Sequence, residues 1–317
     1  MTGLVTFGET MLRLSPPRGQ RLSRVDGFDV HVGGAESNVA VAAANLGVDS
    51  AWCSALPDTA LGERVVHALR GEGVEPLVTW TDTGRVGTYY LERGGRPRGQ
   101  TVVYDRGETP VRELAPDDLP LARVRDADRC FVSGITPALS DQLAETTARL
   151  LETAADAGVA TALDVNYRSK LWTTDAARET LTGLFPHVDA LFVAERDARS
   201  VLDCEGDAEA VAAGLADDYG FETVVVTRGE AGALAVHDAV HEQAAFETDT
   251  VDPVGSGDAF VGGYLAHRLD GGTVPDALAY GAATAALKRT MEGDMARVIP
   301  DEVAALVADG EDGGIDR

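Results

Sequence analysis

The chain has 317 residues, 44% of them hydrophobic, which is enough for one large α/β domain or two modest ones and too apolar for a disordered chain. Acidic residues outnumber basic ones 52 to 27, a formal net charge of −25, and only Lys170 and Lys288 are lysines, so 25 of those 27 are arginines. Such a field repels a phosphate backbone and excludes nucleic acid as a partner. The carboxylates are scattered rather than gathered in a tail, which reads as a whole-surface adaptation of the kind found in salt-loving archaea.

In chain order, LVTFGETMLRL begins like a core strand. HVGGAESNVAVAAANLG, residues 31–47, sets Gly33 and Gly34 ahead of a small-residue helix, so the backbone can approach a ligand with no side chain between. Residues 84–107, GRVGTYYLERGGRPRGQTVVYDRG, predict two strands around a polar Gly-Gly and Arg-rich turn. Half-alternating strands outside a βα rhythm suit a small antiparallel flap, or lid, over the carboxyl ends of a main sheet, built mainly from about 13–32 and 84–107. On it Tyr104 and Arg106, two apart, share a face, and Tyr90 sits on the partner run. An arginine fork suits a carboxylate and tyrosine hydroxyls orient neighbouring oxygens, although a subunit interface uses the same residue types.

From about residue 128 short apolar runs alternate with amphipathic stretches. RCFVSG, ATALDV, DALFVA and ETVVVT read as buried strands, and 140–158, 174–185 and 207–219 have helical spacing, so a doubly wound, mostly parallel sheet with helices on both faces is expected. DVNYRSKLW, residues 164–172, places Asn166 and Arg168 at the carboxyl end of one strand, two apart and so on one side; a capped strand end with a surface ion pair is the plainer account. TRGEAG, running Thr227, Arg228, Gly229, Glu230, Ala231, Gly232, supplies a glycine turn after another strand, which a simple hairpin also explains.

DPVGSGDAF, residues 252–260, is the most specific signal. Gly255 and Gly257, around Ser256, can take positive φ and expose N–H groups at the mouth of the helix AFVGGYLAHRL, a nest for an anion. Asp258 inside that nest repels a phosphate unless it accepts a proton from an attacking hydroxyl; an ordinary helix cap is the alternative. EGDMA places Asp294 after a long helix, in what could be a plain turn.

Cys53, Cys130 and Cys204 lack metal-ligand spacing and read as buried thiols in a reducing compartment, and the six histidines show no metal pattern. The absence of a charged, apolar leader and of any membrane-length apolar run points to the cytoplasm. The tail GEDGGIDR is expected to fray. No GxxxxGK[ST] and no GxGxxG opening the first strand's helix are found, which sets aside a P-loop kinase and a nicotinamide enzyme.

In their order, Gly33-Gly34, Asn166 and Arg168, TRGEAG and DPVGSGDAF resemble the ribokinase-like, or PfkB, carbohydrate kinases across nearly the whole chain, with Pro253 and Ser256 where Thr and Ala are common. GGAESNVAVA, Tyr90, Tyr104-x-Arg106, SGITPALS, DVNYRSKLW and Gly293-Asp294 are similar to the subgroup acting on 2-keto-3-deoxygluconate. The resemblance implies a single ribokinase-like domain over 1–317 with an inserted lid, which often pairs between subunits, so a homo-oligomer. It implies that Gly34, Tyr90, Tyr104, Arg106, Arg168, Asp258 and Asp294 contact a sugar acid. It likewise implies that Asn166, 227–232 and Gly255 to Gly257 hold ATP, with Mg²⁺ carried on its phosphates, and it leaves a potassium site near 249–253 open. The implied reaction is direct in-line transfer to the terminal hydroxyl of 2-keto-3-deoxygluconate, or its galactonate epimer, in a modified Entner–Doudoroff pathway, with Asp258 as base. A kinase of fructose, fructose 1-phosphate or ribose, and a non-catalytic sugar sensor, are the alternatives.

Overall fold

The computed structural model describes residues 2–94 and 97–311; Gly95 and Arg96 at the flap turn, and most of the GEDGGIDR tail, lie outside the described residues. Among the described residues the main sheet has nine strands. In chain order they are β1 (Thr2–Phe7), β4 (Ser50–Pro57), β5 (Val74–Thr81), β8 (Ala127–Ser133), β9 (Ala160–Asp164), β10 (Ala190–Ala194), β11 (Thr223–Thr227), β12 (Ala233–Val236) and β13 (Val240–Gln243). Their spatial order is β13-β12-β11-β10-β9-β8-β1-β4-β5, and the seven from β11 to β5 are parallel while the last two pairings, at the β13 edge, are antiparallel. The chain first builds outward from β1 to β4 and β5, then restarts on the other side of β1 with β8. The β1/β8 boundary is therefore the crevice where this architecture places ligands.

Strand alternation divides the core. Val5, Phe7, Cys130, Val132, Leu191 and Val224 face one layer, covered by α4 (Asp141–Asp156), α5 (Thr174–Leu184) and α7 (Ala208–Tyr219). Leu4, Phe131, Ala162, Phe192 and Val225 face the other, covered by α1 (Ala35–Asn45), α8 (Ser256–Leu269) and α9 (Val274–Arg289). Both faces being buried explains why these strands read as continuous apolar runs. Ser140, Thr173, Asp207 and Thr273 each accept a first-turn N–H and so fix where α4, α5, α7 and α9 begin. Alanine and glycine along α1 and α8 let these two helices approach closely; a Cβ on Gly262 would stand 2.5 Å from that of Ala42. Cys53 and Cys130 are buried and Cys204 is only half-buried, all three as free thiols.

The run LVTFGETMLRL is two strands rather than one. β1 ends at Phe7, and after Gly8-Glu9-Thr10 the chain turns into β2 (Met11–Ser15) of a second sheet. That sheet has the order β3-β2-β6-β7, with β3 (Asp29–Gly33), β6 (Thr88–Glu92) and β7 (Thr101–Asp105). Its outer pairs are antiparallel, but β2 and β6 at its centre run parallel, because each begins a separate hairpin leaving the core in the same direction.

Candidate active site

Five parallel strands deliver residues from their carboxyl ends to one cavity of 590 Å³: Glu9 after β1, Ile135 after β8, Asp164 at the end of β9 and Asn166 after it, Ala194 at the end of β10 and Asp197 after it, and Thr227 from β11. The flap closes it with Tyr89, Tyr104 and Arg106, and the amino end of α8 forms its floor with Gly255 to Asp258. A second cavity of 310 Å³ lies beyond that helix end, walled by Ala245, Phe246, Phe260, Ala282, Ala285 and Ala286 and by the turn at Gly229, Glu230 and Gly232. Thr227, Pro253, Ser256 and Gly257 border both, so the two cavities meet over the first turn of α8.

That first turn is built to face an anion. Gly255 caps the helix at φ 81° with no side-chain cap, and a Cβ there would collide with the carbonyl oxygen of Asp294, so both its angle and its surroundings require glycine. Gly257 does not take positive φ; it is the second helical residue, and a Cβ there would meet only open space. The N–H groups of Gly257 and Asp258 find no acceptor among the described residues, as expected of a helix start whose partner is a ligand. Ser256 turns its hydroxyl back to the carbonyl of Pro253 at 2.8 Å.

Asp258 receives one hydrogen bond, from Asn38 Nδ2 at 2.7 Å, and burial pushes its carboxyl up to about 6, partly offset by Asn38 and Arg168. Asp164, a cavity residue that the motifs did not single out, is pushed up to about 7 by burial and by the charge of Asp258. Arg168 lines the cavity, is exposed, and forms no ion pair among the described residues. Arg106 also lines it, but its Nη2 lies 2.5 Å from Oε2 of Glu9, a nearly buried carboxylate that also accepts from Thr109. The two arginines therefore differ: Arg106 is in direct contact with Glu9, whereas Arg168 acts on Asp258, Asp164 and Asp197 through its charge without a direct ion pair among the described residues.

Asp294 is almost fully buried at the cavity wall, where it accepts from Tyr89 Oη and stands 3.0 Å from Arg13 Nη1. Gly34 lines the cavity as the residue before α1, and a Cβ on it would strike the carbonyl oxygen of Glu9, so glycine here serves the close packing of two chain segments.

Two expectations need correcting. Tyr90 does not face the cavity; it lies on the outer face of β6, edge-on against Phe28, and its neighbour Tyr89 occupies the inner position opposite Tyr104. A one-residue error along a strand reverses the face. Asn166 and Arg168 do not alternate along a strand either, since β9 ends at Asp164; both reach the cavity from an irregular segment in which Asn166 has φ 37°. Of the 227–232 turn, Thr227, Gly229, Glu230 and Gly232 border the cavities, whereas Ala231 does not and Arg228 pairs with Glu242 at 3.0 Å. Sequence reasoning missed Glu9, Asn38, Tyr89, Asp164 and Asp197, and the apolar wall at 245–246 and 282–286. Only the carboxylates ending strand patterns carried a signal that could have found them.

Residues 1–301 match the pfkB family carbohydrate kinase. The chain is 56% identical over 315 residues to a 2-dehydro-3-deoxygalactonokinase of Haloferax volcanii, covering 99% of both, and 29% identical to a 2-dehydro-3-deoxygluconokinase of Thermoproteus tenax over 93% of this chain and 90% of that one. The crystal structure of a 2-dehydro-3-deoxygluconokinase of Thermotoga maritima superposes with a TM-score of 0.91 at 33% identity, covering 97% of this chain and 98% of that one. With the glycine-flanked Asp258 at the head of α8 and the flap over the sheet's carboxyl ends, these likenesses place the chain in the pfkB family of carbohydrate kinases.

Proposed function

We propose that this kinase transfers the γ-phosphoryl group of ATP to the terminal hydroxyl of a 2-keto-3-deoxy sugar acid, giving the 6-phosphate. The galactonate epimer is favoured over the gluconate by the name of the 56% identical relative. The observation that carries the acid substrate is Arg168: an exposed guanidinium on a cavity wall with no direct ion pair among the described residues. A neutral sugar gives it no partner. Arg106, held by Glu9, orients rather than neutralises.

In this reading the sugar lies between Tyr89, Tyr104, Arg168 and Asp294, and the adenine lies in the apolar second cavity between Phe246 and the alanines of α9. The phosphates cross the first turn of α8, where the N–H groups of Gly257 and Asp258 and the helix dipole meet their charge. Asp258 takes the proton of the attacking hydroxyl as the oxygen closes on the γ-phosphorus and the bond to the β-phosphate oxygen breaks. No covalent enzyme intermediate is needed.

Magnesium would enter as an ion carried on the nucleotide, and Asp164 and Asp197 on the cavity wall are the carboxylates that would meet its water shell. When bound, it neutralises charge on the β- and γ-phosphates. A potassium ion near 249–253, left open by the sequence, would have a competitor there, since Lys288 Nζ donates to the carbonyl of Asp252 at 2.9 Å. The flap also suits pairing with a second copy of the chain, through the apolar row on its outer face.

The test is ADP formation from MgATP in molar KCl with both keto-deoxy acids, fructose, fructose 1-phosphate and ribose. Turnover confined to the keto-deoxy acids, with Arg168→Ala raising KM for the acid ~10-fold or more, is the expected result. Preference for a neutral sugar, or an unchanged KM in the variant, sinks the acid reading, and no turnover by folded protein leaves the sensor.

A further inference from the structure

Arg13 belongs to β2, a flap strand, yet its side chain is completely buried among charges. Its Nη2 donates to Asp252 Oδ2 at 2.5 Å, its Nη1 stands 3.0 Å from Asp294 Oδ2, and its Nε donates to Ser15 Oγ at 3.0 Å. Arg93, just past β6, adds a second guanidinium 3.0 Å from the same Asp252 oxygen. Lys288 of α9 is buried against the Asp252 carbonyl. As a stability device such a cluster is inefficient, because removing charges from water costs about as much as their pairing returns, and apolar side chains of similar volume do as well or better. Where its members lead is more informative.

Asp252 heads the segment that ends in Gly255 and Asp258, and Asp294 lines the sugar cavity while its main chain abuts Gly255. Among the described residues the Arg13 fork is the one place where a flap strand reaches both carboxylates at once. The partners of the two differ in number. Asp252 keeps Arg93, the N–H of Gly293 at 3.1 Å and the N–H of Val254 at 3.2 Å if Arg13 is lost. Asp294 has Arg13 as its one ion-pair partner among the described residues and otherwise only the Tyr89 hydroxyl. Loss of Arg13 therefore falls on Asp294.

We propose that Arg13 is a positioning residue for the transfer reaction: its fork holds the Asp294 carboxylate at the cavity wall and thereby makes seating of flap strand β2 a condition for binding the sugar. This rests on the sugar reading of the cavity. Two N–H arms reaching separate carboxylates cannot be reproduced by a lysine's point charge, so Arg13→Lys keeps the cation and loses the geometry.

Wild type and R13K are compared in molar KCl, with KM measured separately for sugar and for ATP and melting followed in parallel. R13K is expected to raise KM for the sugar about tenfold or more while KM for ATP stays within about twofold, because the nucleotide cavity lies across α8 from Asp294. A folded R13K with both KM values unchanged, or with both raised together, overturns the proposal. If R13K does not fold, Arg13→Met with Asp252→Asn removes cation and carboxylate as a neutral pair and is read the same way; failure of both to fold assigns Arg13 to the fold alone and overturns it too. Wild type that turns over only some other sugar in the panel refutes the acid reading separately, and the variants are then read with that sugar.

Discussion

At the scale of single residues, the pH profile should report Asp258 at the cavity floor. As the proposed base, Asp258 would act only when ionised, and its carboxyl is raised to about 6, so kcat/KM is expected to fall as pH drops through about 6. The groups facing it are Asn38, Arg168, Lys288 and Asp294, with Asp164 across the cavity. Asp164, raised to about 7 in part by the charge of Asp258, is still neutral where Asp258 ionises, so Asp164→Asn should leave the acid limb near 6. Asp258→Asn should lower kcat by ~10²- to 10⁴-fold with sugar KM little changed. An acid limb that moves well away from 6 in D164N, or near-normal turnover in D258N, refutes the assignment. Asp258 was legible because glycines and a helix start frame it within nine residues. Arg13 and Glu9 were not, because nothing local distinguishes a charge that pairs with a partner more than two hundred or about a hundred positions away, as Arg13 does with Asp252 and Glu9 with Arg106.

At the scale of elements, the parallel core was readable because strands buried on both faces and helices with capped starts each leave a local pattern. The flap was harder. Its strands are half-buried, so Tyr89 and Tyr90 are equally plausible inward residues until Tyr104 is seen opposite Tyr89. The same register puts Val30, Leu14, Tyr90 and Val103 in one row across all four strands on the outer face, with Phe28 against Tyr90. Val30 and Val103 are 38% and 48% exposed. An apolar row across a small sheet suits pairing with an identical row, which is how a homo-oligomer through the flap would form. Light scattering in molar KCl should show a dimer or larger assembly, and Tyr90→Ser with Val103→Ser should shift it toward monomer while the melting temperature of the core holds. A wild-type monomer at micromolar concentration ends that reading.

At the scale of the whole molecule, the excess of 25 negative charges acts against compactness wherever it is not screened. Paired and buried groups such as Arg13, Asp252 and Asp294 feel dissolved salt least, whereas the scattered surface carboxylates feel it most. The screening length falls from about 10 Å at 0.1 M to about 3 Å at 1 M, shorter than most spacings between exposed charges. The melting temperature should therefore rise between 0.1 M and 2 M KCl, by roughly 5–10 °C for a gain of a few kcal/mol in a chain of this size. Salt also strengthens apolar burial, so the rise alone does not identify its cause. Sucrose at matched osmolality separates the two, since it is excluded from the surface but screens nothing. A rise with KCl that sucrose does not reproduce assigns the effect to charge. Equal rises in both assign it to solvent exclusion, and a flat curve removes the salt adaptation read from the composition.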